Sequence, residues 1–319
     1  MPTLVHSFAY EVKPEPPFDF DLTVRKPAGW SLFTPYERYE RGTLWTATHL
    51  QGRLAAIKLA SKGTVSHPRI AVRVFLARRA TRAQAREMQR ELNDAIGVSD
   101  NLADFYAMAR HDSILRHSIE RLRGMHDTSP CTLFPEACLA ILLQMAPLKR
   151  SDAMMKAFIV TYGEVAAFDG HRIRAWPTSH RIARIRAAEL ARVCRIGYRA
   201  KHIVALARRL ERGTFPSVAQ LREMPAEEAR PRLLELPGIG DYSADIINPH
   251  GGFPIDSWSV EVFSKLFFGR TVGHTSGAIE RVKREGLRRW GRWAWMAFFY
   301  VVQDLQGLSQ ELKIDLRLQ

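Results

Sequence analysis

The first hundred residues alternate between apolar and polar positions, as strands with one buried face do. Segments 18–24 and 72–76 show this pattern, and segments 45–48 and 53–59 flank a short turn, as in a hairpin or a meander. From Thr81 to Leu92 the apolar spacing becomes helical. These patterns predict an N-terminal domain, residues 1–100, in which a helix packs against an antiparallel β-sheet.

From Leu102 onward, apolar residues recur at helical spacing. Prolines lie between the predicted helices or at their starts, where proline is tolerated. The predicted helices cover residues 134–145, 151–162, 178–190, 199–212, 217–222, 229–235, 257–268, 275–286 and 291–306. The sequence therefore predicts an α+β fold: the N-terminal antiparallel β-sheet domain, followed by an all-α core over residues 101–319.

Composition narrows the class of partner. The chain has 319 residues, a formal net charge of +14 and 46% hydrophobic residues, which is typical of a globular protein that binds a polyanion. Its longest apolar run, residues 293–302, is too short to cross a bilayer, and the N-terminus lacks the pattern of a secretory signal. We expect a soluble monomer without membrane contact, in the cytoplasm, and associated with the nucleoid if the organism is a prokaryote.

A glycine-rich turn joins two short predicted helices in segment 233–247. Pro237, Gly238, Ile239 and Gly240 form the turn, and the second helix is predicted to begin at Asp241. Glycine tolerates positive φ and has no Cβ, so such a turn can bring its own N–H groups close to another molecule. Unsatisfied N–H groups at a helix start attract anions. On so basic a chain, we expect that anion to be a DNA phosphate.

A carboxylate follows this hairpin. Asp256 lies in segment 253–263, at the head of a predicted helix that starts at Ser257. Aspartate is a favoured helix N-cap, so a purely structural role is one interpretation. A carboxylate beside N–H groups that hold a DNA strand also indicates chemistry on that strand. A cap bond would then fix the orientation of the carboxylate.

The order of these motifs resembles the helix-hairpin-helix, Gly/Pro-rich-loop, aspartate superfamily of DNA glycosylases, which excise damaged or mispaired bases. Two upstream segments strengthen the resemblance. Residues 134–145 are similar to the helix and glutamine-containing turn that open the family's core, and residues 176–178 with 196–201 are similar to its Pro-Thr helix start and its Gly-x-Arg-Ala turn. The partner implied is double-stranded DNA that contains a damaged base.

The resemblance also implies roles for individual residues. Asp256 would be the catalytic carboxylate, and the hairpin residues, including Ser243, would hold the DNA backbone. Gln144 and Met145 occupy the turn where relatives insert a wedge into the base stack, although Met145 could instead finish the buried face of its helix. The aromatic residues placed near the extruded base are Tyr242 and Trp258, and a C-terminal aromatic cluster offers further candidates: Trp290, Trp293, Trp295, Phe298 and Tyr300.

Bifunctional members carry a lysine two residues after the last hairpin glycine, where its amine forms a Schiff base. Tyr242 stands at that position, and a tyrosine cannot form an imine. The resemblance therefore predicts a monofunctional enzyme that uses water and excises alkylated bases. No cysteine follows Cys194, which argues against the iron–sulfur branches, so we expect neither a metal nor a cofactor.

Two other functions stay open. An oxidised-purine (8-oxoguanine) glycosylase is one, although Ile246 stands where those enzymes carry a pocket cysteine. A damaged-DNA-binding protein that keeps the fold without turnover is the other. Two departures from the family also bear on the site: Gly251 and Gly252 follow an early end of the second hairpin helix, and Asp241 puts a negative charge beside the predicted phosphate.

Overall fold

A five-stranded antiparallel sheet forms the N-terminal part of the protein. The computed structural model describes residues 4–28 and 33–316. Within the sheet the strand order is β1-β5-β4-β3-β2. The tightest turn joins β3 to β4 through Gln51 and Gly52, which both have positive φ. The strands are β1 (His6–Val12), β2 (Arg38–Glu40), β3 (Thr43–Leu50), β4 (Arg53–Ser61) and β5 (Ile70–Leu76).

Two helices accompany the sheet. The first, α1 (Phe20–Arg25), corrects the prediction of a strand over residues 18–24. Asp19 decides this local structure, because its carboxylate accepts a hydrogen bond from the N–H of Leu22 at 2.9 Å and so caps a helix. The second, α2 (Arg82–Ala95), confirms the predicted helix and begins with a capping box formed by Thr81 and Gln84.

The rest of the chain is mainly helical, in agreement with the predicted fold class. Its helices are α3 (Ala103–Ala109), α4 (Leu115–Arg121), α5 (Leu133–Leu143), α6 (Leu148–Tyr162), α7 (Ser179–Ala183), α8 (Ala187–Cys194), α9 (Arg199–Glu211), α10 (Val218–Glu223), α11 (Ala226–Leu234), α12 (Asp241–Ile247), α13 (Ser259–Phe268), α14 (Ser276–Trp290), α15 (Ala294–Gln303) and α16 (Leu305–Leu312). A short 3₁₀ turn, Gly291–Trp293, links α14 to α15.

Two details of this helical part differ from the prediction. A hairpin of two strands, β6 (Val165–Phe168) and β7 (His171–Arg174), interrupts the segment predicted to be all-α. It is attached to the sheet through the carboxylate of Asp169, which accepts hydrogen bonds from Trp45 Nε1 at 2.7 Å and from Lys58 Nζ at 2.8 Å. The helix predicted over residues 178–190 is divided into α7 and α8, where Arg208 donates a hydrogen bond to the last carbonyl of α7, at Ala183.

Three large hydrophobic clusters organise the protein. One lies between the N-terminal sheet and α2. A second joins α5, α6 and α9 to the hairpin helices α11 and α12. The third joins α3 and α4 to the C-terminal helices from α13 onward. Asp256 therefore lies where the chain passes from the second cluster to the third. Among the described residues, no helix is both long enough and apolar enough to cross a membrane.

Two glycines of α14 provide a test of this packing. A Cβ on Gly286 would lie 2.2 Å from Cε1 of the buried Phe253, whereas a Cβ on Gly277 would meet no atom within 4 Å. We expect Gly286→Ala to destabilise the protein by about 2 kcal/mol or more through overpacking. Gly277→Ala is the matched control, and should be neutral or stabilising by up to about 1 kcal/mol. Equal unfolding free energies of the two variants in urea would contradict the packing of α14 on Phe253.

Candidate active site

The turn between α11 and α12 places two glycines in different environments. Gly238 has φ +82, and a Cβ there would lie 2.6 Å from Cβ of His202. Gly240 has an extended backbone, with φ −106 and ψ −171, and a Cβ there would meet nothing within 4 Å. Glycine is thus required for the fold at Gly238, whereas at Gly240 it leaves the surface open to a ligand. Ile239, between them, is buried in the core.

The start of α12 has the uncapped N–H groups that the sequence predicted. Gly240 is the N-cap residue and supplies no side chain to the first turn. The carboxylate of Asp241 points toward Arg230, from which it accepts a hydrogen bond at 2.6 Å. This arginine lowers the pKa of Asp241. The structure thus turns Asp241 toward a cation of the protein itself.

The same arginine also binds a buried carboxylate. Asp245 of α12 accepts a hydrogen bond from Arg230 Nε at 2.9 Å, and its other oxygen is bound by Lys283 of α14. Gly252 packs directly on Asp245, since a Cβ at Gly252 would lie 2.6 Å from Cβ of Asp245. Lys283 therefore forms a structural ion pair with Asp245.

Asp256 is anchored through one of its two carboxylate oxygens. Oδ1 accepts hydrogen bonds from the N–H groups of Trp258 and Ser259, at 3.0 and 2.8 Å, and from the hydroxyl of Ser259 at 2.8 Å. Oδ2 has no hydrogen-bond partner among the described residues. The helix begins at Ser259, two residues later than predicted, after a turn at Ser257 and Trp258, and Asp256 accepts the N–H groups at this start. The capping and catalytic interpretations are therefore compatible, with one oxygen for each.

Tyr242 lies beside this carboxylate. Burial, and then the nearby charge of Asp256, raise the pKa of the Tyr242 phenol. The side chain of Tyr242 is therefore a neutral phenol close to Asp256. The ring of Trp258 packs against the third hydrophobic cluster, and its backbone N–H binds Asp256. Its role beside an extruded base stays a prediction.

The turn after α5 connects directly to the hairpin. Gln144 donates hydrogen bonds through Nε2 to the carbonyl of Gly238 and to the hydroxyl of Ser243, both at 2.8 Å. Met145 follows with φ +48 and a side chain that is 81% exposed. This exposure rules out the interpretation of Met145 as a core residue. Gln144 is therefore bound to the hairpin, whereas Met145 projects from the surface.

Sequence analysis missed several residues around the site. Ser259 is fully buried, and the hydroxyl that donates to Oδ1 of Asp256 also accepts a hydrogen bond from the N–H of Asp256 at 2.8 Å. Asp127 is another, and it accepts a hydrogen bond at 2.6 Å from the indole of Trp295, a predicted aromatic candidate whose ring stacks on Phe298. Glu136 of α5 is charge-coupled to Asp127, and burial raises its pKa to about 8. The contact between Trp295 and Asp127 joins segments far apart in the chain, which periodicity does not reveal.

Comparisons with known proteins agree with this architecture. No protein-family model matches the chain. It is similar to the DNA-3-methyladenine glycosylase of Bacillus subtilis, with 23% identity over 220 residues, which are 67% of this chain and 71% of that protein.

Two solved structures extend the likeness to almost the whole chain. The 3-methyladenine DNA glycosylase of Archaeoglobus fulgidus superposes with a TM-score of 0.73 and 20% identity, covering 93% of this chain and 98% of that one. The 8-oxoguanine glycosylase/lyase of Clostridium acetobutylicum, solved with DNA, superposes with a TM-score of 0.69 and 14% identity, covering 96% and 99%. The predicted fold class and the predicted resemblance to DNA glycosylases are confirmed.

The open surface at Gly240 allows the predicted DNA contact to be tested without disturbing the fold. We expect Gly240→Val to keep the wild-type melting temperature, since its Cβ meets no protein atom and its backbone suits any residue. Its affinity for undamaged duplex DNA should fall by about tenfold, because the side chain would hold a phosphate away from the hairpin N–H groups. Gly277→Ala, on α14, is the control. Unchanged affinity in folded Gly240→Val would reject the hairpin as a DNA contact.

Proposed function

We propose that the protein is a monofunctional DNA glycosylase that removes damaged bases from double-stranded DNA, with alkylated bases as its substrates. The observation that carries this proposal is the different environment of the two carboxylate oxygens of Asp256. Oδ1 accepts the hydrogen bonds at the start of α13, while Oδ2 has no hydrogen-bond partner among the described residues. The carboxylate follows a glycine-rich hairpin within the fold of DNA glycosylases.

The proposed chemistry is hydrolysis of the N-glycosidic bond. As the bond from the base to C1′ breaks, its electron pair leaves with the base and positive charge develops on the sugar. An anion fixed nearby stabilises that charge, and Oδ2 of Asp256 is such an anion. Water then attacks C1′ and gives its proton to the carboxylate, which yields a free base and an abasic sugar. Ser259 orients the carboxylate by occupying Oδ1.

Tyr242 supports the monofunctional assignment. It stands where bifunctional members carry the lysine, and its phenol is buried next to Asp256. A neutral phenol cannot replace an amine as a nucleophile toward C1′ in the proposed reaction. Its aromatic ring is instead a wall for a base that has left the stack.

Alkylated bases fit these surroundings. Many alkylated purines are cationic, and a cationic ring is attracted to electron-rich aromatic faces. Tyr242 at Asp256 supplies one such ring, and Ile246 replaces the cysteine of the 8-oxoguanine enzymes. Two of the similar proteins are named as 3-methyladenine glycosylases. An 8-oxoguanine glycosylase is the second candidate, favoured by the likeness to the Clostridium acetobutylicum glycosylase/lyase.

Asp256→Asn tests the catalytic assignment. Asparagine keeps an oxygen that can accept the three cap bonds, so we expect a folded protein with DNA affinity within a few-fold of the wild type. Single-turnover base release should fall by about a hundredfold or more, because the charge at Oδ2 is lost.

Asp152→Asn, on α6 and paired with Lys156 across one helical turn, is the matched control and should release bases at the wild-type rate. Near wild-type release by Asp256→Asn would remove Asp256 from the mechanism. A wild-type protein that binds damaged DNA and releases no base from any lesion would instead favour the non-catalytic alternative.

A further inference from the structure

Arg199, at the start of α9, is a buried cation. Its side chain is 4% exposed, and its guanidinium lies 4.8 Å from the ring centroid of Tyr198. Among the described residues no carboxylate lies within ion-pair distance of it, and Nε has no hydrogen-bond partner. Burying a charge without a counter-ion is costly, so an arginine at this position requires a specific use.

The contact that this guanidinium makes is with the turn that carries Met145. A terminal nitrogen of Arg199 donates a hydrogen bond to the backbone carbonyl of Gln144. The side chain of Gln144 is bound separately, to Gly238 and Ser243 of the hairpin. Both the main chain and the side chain of Gln144 are therefore held, one by α9 and the other by the hairpin.

Met145 needs such support. A non-glycine residue at φ +48 occupies the left-handed region, which costs about 1 kcal/mol or more and persists where neighbouring contacts enforce it. The side chain itself, 81% exposed, has few contacts that could hold it. The conformation of this turn must therefore be set by the residue before it, through the bonds to Gln144.

We infer that Arg199 is a positioning residue that holds the Met145 wedge in its projecting conformation and ties it to the DNA-binding hairpin. This inference rests on the proposed function and adds a mechanical link to it. When the hairpin is seated on a strand, Gln144 transmits that position to Met145, which then enters the stack beside the extruded base. A charge-assisted bond to a carbonyl is strong enough for this purpose and leaves the wedge itself apolar.

The test compares Arg199→Met, Met145→Ala and the double variant. Each is mixed with duplexes that carry 7-methylguanine opposite cytosine, a stable pair, or opposite thymine, a mismatch that opens more easily. A neighbouring 2-aminopurine reports unstacking, and base release is followed in single turnover. We expect each single variant to slow release from the stable pair by about tenfold and from the mismatch by about twofold or less.

The double variant separates positioning from direct DNA contact. If Arg199 acts through Met145, Arg199→Met should add less than about twofold to the effect of Met145→Ala. Full additivity, or equal slowing on both duplexes, would overturn the inference. Arg192→Met, an exposed arginine on α8, removes the same charge and should leave the dependence on base pairing unchanged. If Arg199→Met does not fold, Arg199→Gln, which removes the charge and keeps a polar end, is judged by the same two criteria.

The proposed function and the inference can fail separately. If the wild-type protein unstacks 2-aminopurine without releasing a base from any lesion, the glycosylase proposal fails, and the unstacking signal still decides the role of Arg199. If release is efficient and Met145→Ala shows no dependence on base pairing, the inference is wrong and the glycosylase proposal stands.

Discussion

The short loop from Asp256 to Ser259 fixes the orientation of the Asp256 carboxylate, and the rest of the candidate site is arranged around it. In a carboxylate that rotates freely, either oxygen could face the helix start while the other faces solvent. Here the hydroxyl of Ser259 and two backbone N–H groups hold Oδ1, so Oδ2 has a fixed direction. Pre-orientation of this kind lowers the reorganisation needed when charge develops nearby. The cap of α13 and the proposed chemistry thus use the same residue.

The surrounding structure fixes this loop from two sides. Asp245, bound by Arg230 and Lys283, joins α12 to α11 and α14, and Gly252 packs on it just before the loop. Phe253 fills the space left by Gly286 in α14. The site therefore lies at the boundary between two hydrophobic clusters, and both contribute to its shape. Glycines at this boundary permit close packing, in addition to forming turns.

The sequence was sufficient for features that depend on local backbone chemistry. The hairpin turn, the glutamine turn and the helix start at Asp256 could be recognised because each needs a particular residue type at a particular place in the chain. Their roles in DNA binding and catalysis stay predictions. Secondary structure was predicted wrongly where the hydrogen bonds of a single side chain determine the local structure. Asp19 caps a helix in a segment that alternates like a strand, and Asp169 attaches a hairpin that interrupts the predicted helical core.

Contacts between side chains that are distant in the chain could not be predicted from local sequence patterns. Arg199 and Lys283 look alike in sequence, as cations within basic segments. Folding buries one against a carbonyl and the other against a carboxylate. Neither partner is close in the chain, so only the tertiary structure separates a positioning cation from a structural one. Ser259, a small polar residue after an aspartate, also gains its role only from the loop it closes.

Analysis of the reaction product tests the central claim most directly. A panel of duplexes, each with one alkylated or oxidised base, is incubated with the wild-type protein and divided into portions treated with alkali, with borohydride or with neither. Monofunctional hydrolysis predicts release of a free alkylated base, an intact strand that breaks only in alkali, and no protein–DNA adduct with borohydride. Efficient borohydride trapping at the rate of base release, with 8-oxoguanine as the preferred substrate, would contradict it.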